Sequence, residues 1–209
     1  MSFKREFENF YKANFGKIKL FSPIFYNFPI GIRFEIGIDG EDRFNYVKQA
    51  IYRAVTIFKE LFEKENLIYV VVNSFENIST ESKYNNIAVI RSLIKVIIDE
   101  CNYRFVSKSD EFSCNRYVLK TVVKSIDIHK LLEKIVLSEL EGENYLSGSV
   151  YIFNKHSGIM YFLYDNDGLD VVANDKNKLV RIYKKYNEWI LDYDREKIEK
   201  TFNKVISRG

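Results

Sequence analysis

Apolar positions change their spacing several times along this chain, and each change predicts an element. Phe3, Phe7, Phe10 and Tyr11 recur at helical spacing, which predicts a short helix over 2–14. An irregular aromatic stretch, 18–28, follows, marked by Pro23 and Pro29. Ile30, Ile32, Phe34, Ile36 and Ile38 then alternate with Gly31, Arg33, Glu35 and Gly37, the signature of a strand with one buried face, and Asp39-Gly40 closes it with a turn. Val47, Ile51, Ala54, Val55, Phe58, Leu61 and Phe62 form the clearest helical stripe of the chain. The β-branched run Leu67–Asn73 does not alternate, so it reads as a central strand covered on both faces. Strand, helix and strand in this order fit a βαβ unit.

Ile87, Ile90, Ile94, Ile97, Ile98 and Cys101 predict another helix, and Arg116–Lys124, alternating apolar and basic, a strand. Asp127 is placed to cap a helix carrying Ile128, Leu131, Leu132, Ile135 and Val136. A polar loop is expected near 139–147. Three short strands follow, 148–153, 159–164 and 169–173, joined by His156-Ser-Gly158 and Asp165-Asn-Asp-Gly168, and such tight turns favour an antiparallel meander. Asp175 is expected to cap a helix with Leu179, Ile182, Tyr183, Tyr186, Trp189 and Ile190 on one side. Asp194 is expected to cap the last helix, with Ile198, Phe202, Val205 and Ile206 inward. Helices and strands do not alternate strictly. The expected class is therefore α+β, a mixed or antiparallel sheet with a C-terminal three-strand meander and flanking amphipathic helices. At 209 residues it fits a single domain, 1–209, with a possible sub-boundary near 139–147.

Charge narrows the partners. With 32 basic and 29 acidic residues the net charge is +3, too balanced to hold a polyanion generally, so nucleic acid is not the expected partner. Two cysteines make no disulfide framework. The charged N-terminus lacks an apolar signal region, and the run Ile68–Val72 is too short to span a bilayer. A reduced, cytoplasmic protein without membrane contact is the expectation.

Candidate chemistry gathers in the C-terminal third. Asp165, Asp167 and Asp170 surround Gly168, and clustered oxygens suit a hard cation or a general acid. Their spacing does not match an EF-hand loop, and Asp, Asn and Gly are also what a hairpin turn requires, which is the favoured reading. Asp192-Tyr193-Asp194-Arg195 sets carboxylates beside an arginine, or starts a helix with Asp194 as its cap and Asp192 paired locally to Arg195 or to a backbone N–H. Arg33 and Glu35 share the polar face of the first strand, as a cleft lining or, preferably, a solvated ion pair. Tyr183, Tyr186 and Tyr193 among C-terminal basic residues suggest an RNA surface, but the interspersed carboxylates oppose it. Trp189 and Cys101 read as core, and His129 and His156 as surface residues without a metal-spaced partner. No phosphate loop is present and no catalytic set or cofactor is expected.

Two runs carry a resemblance. Tyr164-Asp-Asn-Asp-Gly-Leu-Asp-Val171 and Tyr186-Asn-Glu-Trp-Ile-Leu-Asp-Tyr-Asp-Arg195 resemble the DUF3885 family of uncharacterised bacterial proteins, as do Pro23-Ile-Phe-Tyr-Asn27, Gly31-Ile-Arg-Phe-Glu35, Tyr52-Arg-Ala54 and Val70-Val-Val-Asn73. The family pattern has arginine at Asp167, aspartate at Asn166 and histidine at Phe162. It implies a shared fold but no established activity. The expected function is a cytosolic domain that binds another protein, of an immunity or antitoxin kind. The alternatives are a metal-assisted hydrolase or nuclease on the acidic turn, and an RNA-binding module.

Overall fold

A computed structural model describes residues 1–20, 24–38, 40, 42–76, 86–106, 113–140, 146 and 148–203. In chain order its elements are α1 (Phe3–Phe15), α2 (Ile24–Asn27), β1 (Gly31–Glu35), α3 (Arg43–Leu61), β2 (Leu67–Glu76), α4 (Asn86–Ser92), β3 (Asp99–Val106), β4 (Ser113–Val122), α5 (Ile128–Leu140), β5 (Ser149–Asn154), β6 (Ile159–Leu163), β7 (Gly168–Ala173), α6 (Val180–Lys185) and α7 (Asp192–Asn203). The turn residue Asp39, the loop residues 141–145 and 147, and Val205 and Ile206 lie outside the described residues.

The strands form one sheet in the order β1-β7-β6-β5-β2-β4-β3, with every neighbouring pair antiparallel. The fold is α+β, and the predicted meander is β5-β6-β7. The βαβ expectation needs correction. Four antiparallel steps separate β1 from β2, so they run in the same direction, but β7, β6 and β5 fill the gap between them. The helix α3 carries the chain across that gap.

Both sheet faces are covered, which is why β2 shows no alternation. Its Ile68, Val70 and Val72 pack with Ile152, Tyr161, Leu169 and the apolar stripes of α3, α5, α6 and α7. Its Tyr69 and Val71 point to the other face, against Tyr151, Phe153, Phe162 and the aromatic stripe of α1. Phe7 meets Tyr69 and Phe153 edge-on, with ring centroids 5.3 and 5.9 Å apart. Glu6 adds a polar contact on this face: its carboxylate accepts from Tyr69 (2.9 Å), Lys120 (3.0 Å) and Lys155 (2.7 Å).

Local signals start and stop these elements. The Asp42 carboxylate accepts from the N–H groups of Phe44 and Asn45 at the start of α3, and Asp127 accepts from that of Lys130 in α5. The predicted helix 87–101 is divided: α4 ends at Ser92, and Cys101 belongs to the edge strand β3. There Cys101 is half-buried instead of central in a core; Cys114 is the buried cysteine, and both are free thiols. The predicted helix after Asp175 is also broken, into 3-10 turns at 176–178 and 187–189 with α6 between them. No helix among the described residues is long and apolar enough to cross a membrane.

Candidate functional site

The edge strand β1 brings most of the motif residues together. Arg33 stands directly across from Asp170 in the β1–β7 register. Instead of facing water it is 7% exposed, and Asp170 is 1% exposed. The Arg33 Nε donates to Asp170 Oδ1 at 2.7 Å and its Nη2 to Oδ2 at 3.0 Å, a bidentate pair. The backbone N–H of Phe25 donates to the same Oδ2 at 3.0 Å. Nη1 reaches Asp194 Oδ2 at 3.5 Å, and the Tyr26 hydroxyl donates to that oxygen at 3.1 Å. The rings of Tyr26, Phe25 and Tyr164 lie 4.7, 5.2 and 5.3 Å from the guanidinium carbon.

Burial works against the Arg33 charge, but the hydrogen bonds and charge of Asp170 outweigh it, and Arg33 holds its proton more tightly than a free arginine. Burial also pushes the Asp170 carboxyl up, opposed by Arg33 and the Phe25 N–H. With three donors on its two oxygens, the carboxylate is the form that this geometry accommodates. The unit is a clamp that joins α2, β1, β7 and α7. It corrects two expectations. Arg33 does not pair with Glu35, which is exposed, and Asp194 does not cap α7, because the helix starts at Asp192 and Asp194 turns inward from its first turn.

The acidic turn does not converge on one point. Asp165 Oδ1 accepts from the N–H groups of Asp167 (2.9 Å) and Gly168 (2.8 Å), closing an Asx turn. The exposed Asp167 carboxylate accepts from the Tyr46 hydroxyl and from Asn166 Nδ2. Asp170 belongs to the clamp. A Cβ at Gly168 would overlap the Tyr164 hydroxyl, so glycine there makes room for a clamp residue. Among the described residues no group of three His, Cys, Asp or Glu side chains is arranged to hold a metal ion.

The run 186–195 covers the open edge of β1. Ile190 bridges to Phe34, and the Leu191 N–H donates to the Arg33 carbonyl at 3.0 Å. Arg195 holds this segment: it donates to the carbonyls of Asn187 (3.2 Å) and Ile190 (3.0 Å) and to Asp192 (2.8 Å), one of the two local pairings expected for Asp192. Trp189 is half-buried at the margin of the core, stacked on Tyr186 (4.7 Å) and lying 5.2 Å from the guanidinium carbon of Arg53, whose Nη1 donates to the Glu35 carbonyl at 2.8 Å. Tyr183 and Tyr186 are buried, which leaves Tyr193, 85% exposed, as the open ring of that tyrosine series. His129 and His156 are both exposed.

A second feature lies away from these residues. Between α3 and α5 runs an open groove of about 500 Å³. Val47, Ile51 and Val55 form its floor, Phe44 and Tyr52 stand at its side, and Lys48, Thr56, Lys59, His129 and Glu133 complete its lining. Phe44 is 75% and Tyr52 58% exposed. The buried stripe of α3 dominates the apolar pattern of this segment and masks the groove in the sequence. The available signal was the series Phe44, Lys48, Tyr52, four residues apart and beside that stripe.

Comparison with known proteins covers the part of the chain that holds the clamp residues. The profile of the family described as "Domain of unknown function (DUF3885)" matches residues 7–194, a span from α1 into the first turn of α7. The uncharacterized protein YnaE of Bacillus subtilis (strain 168) is similar, with 22% identity over 203 residues, 87% of this chain and 95% of that protein. No solved structure matches the chain. The matched span contains β1, the acidic turn and the run around Trp189 through Asp194, and the chain belongs to the DUF3885 family.

Proposed function

We propose that this chain is a cytosolic, non-enzymatic domain that binds another protein through the α3–α5 groove, in the manner of an immunity protein or antitoxin. The observation that carries the reading is the exposure of Phe44 and Tyr52 over an apolar floor. Large aromatic side chains left in water beside an apolar trough are a poor arrangement for a free monomer and a good one for an interface core. The polar motif residues favour the same conclusion by a different route. Arg33, Asp170 and Asp194 satisfy one another in the interior, and Asp165 is spent on its own turn. These groups build the scaffold, and among the described residues no set of three His, Cys, Asp or Glu side chains converges in support of the metal-hydrolase alternative.

The test is site-specific photocrosslinking in the native bacterium, with the photoreactive residue at Tyr52 and, as a control, at Lys155 on the opposite sheet face. The expected result is one protein crosslinked from position 52 only, identified by mass spectrometry, which then binds the purified chain and loses that binding with Phe44→Ala. Absence of a position-52 adduct, or an adduct whose purified protein does not bind, overturns the reading.

A further inference from the structure

The geometry points to the chemistry of the occupant: an amphipathic helix of the partner protein, acidic along the flank that faces α3 and neutral or basic along the flank that faces α5. This rests on the groove being the binding surface. The first ground is shape. The groove is walled by two helices and floored by Val47, Ile51 and Val55, the i, i+4, i+8 series on which the apolar ridge of a third helix packs.

The second ground is charge. Lys48 and Lys59 lie on the α3 wall, both exposed, and neither forms an ion pair among the described residues. They are eleven positions apart, close to three helical turns, so they stand on one side of α3 at the two ends of a stretch of about 16 Å along the helix axis. The α5 wall carries Glu133 and His129 instead. A helix lying in this trough meets two cations on one side and a carboxylate on the other. Carboxylates about three turns apart on its α3 flank would reach Lys48 and Lys59 together, while the same groups on its α5 flank would face Glu133. The asymmetry therefore selects both charge pattern and direction of roll, and it acts on association rate and specificity more than on total affinity.

A phage library of amphipathic helices about 18 residues long, with a fixed leucine ridge and randomised flanks, would be panned against the full chain. The expected winners carry Asp or Glu on one flank about three turns apart, lose at least tenfold in affinity on Lys48→Glu with Lys59→Glu, and are absent for Tyr52→Ala. A charge-inverted winner, with Lys for Glu, should regain binding to the Lys48→Glu/Lys59→Glu chain. Winners with basic or uncharged flanks, or insensitive to the lysine changes, overturn the proposal. Sedimentation showing a homodimer that Tyr52→Ala dissolves assigns the groove to a second copy and also overturns it. The two readings fail separately: a position-52 adduct that docks through a strand or loop rejects the helix and keeps the groove, whereas no adduct rejects both.

Discussion

At the scale of single residues, the clamp around Arg33 shows how a polar residue can be central to a fold and uninformative about activity. Removing only the cation leaves the Asp170 carboxylate buried at the sheet edge without its counterion. Arg33→Met should therefore destabilise by about 3–5 kcal/mol, whereas Arg33→Met with Asp170→Leu should recover a large part of that loss, because the uncompensated charge goes with its partner. Urea unfolding of the two variants measures the difference; equal destabilisation would mean that the pair is not coupled. Glu6 allows a pH test. Its hydrogen bond with Lys155 chiefly, and those with Lys120 and Tyr69, hold its pKa down at about 2 against the opposing effect of burial. A depressed carboxylate pKa stabilises the fold above the unfolded value near 4.5 and loses that contribution as pH falls through the folded value. With the side chain 25% exposed and screened, about 1 kcal/mol is expected. Glu6→Gln should flatten the fall in stability between about pH 4.5 and 2 without altering its shape near neutrality.

At the scale of elements, legibility followed the reach of the signal. The β5-β6-β7 meander was readable because its turns are encoded within a few residues, as Asp165 capping the N–H groups of Asp167 and Gly168 illustrates. The helix predicted over 87–101 failed because isoleucines at 87, 90, 94, 97 and 98 fit a helical face while β-branched residues also suit strands, and pairing of β3 with β4 decided the matter from a distance. Arg33 looked solvated because α2, β7 and α7, which bury it, lie elsewhere in the chain. A lone Arg between Ile32 and Phe34, and a lone Asp between Leu169 and Val171, were the visible hint of a cross-strand pair. The edge cover at 187–191 gives an element-scale prediction. Arg195→Ala removes charge-assisted bonds to two of its carbonyls and should cost about 1.5–3 kcal/mol. Hydrogen exchange of the Leu191 amide, which donates to Arg33, should accelerate more than that of central β5 amides. Uniform acceleration across the sheet would contradict a local role for Arg195.

At the scale of the whole molecule, the sheet interleaves both ends of the chain. The first strand pairs with the last, and β2 pairs with both β4 and β5, so neither half can complete the sheet without the other. This predicts a single unfolding transition with coincident fluorescence and circular-dichroism midpoints; two separated midpoints would show independent units. The groove lies on this scaffold, across the sheet layer from α1, which separates a binding defect from a folding defect. The most direct measurement is the affinity of the purified partner, identified from position 52, for the wild-type chain, for Phe44→Ala with Tyr52→Ala, and for Asp170→Asn under folding conditions. If the groove is the interface, the aromatic double variant should remain folded, giving up only the edge-on contact of Tyr52 with Trp189 at 6.1 Å, and lose binding by about 2 kcal/mol or more, some thirtyfold. The Asp170→Asn chain should be less stable, yet bind normally in its folded fraction. Wild-type affinity for the aromatic variant, or loss of binding by folded Asp170→Asn, would contradict the account and move the interface to the Arg33 clamp.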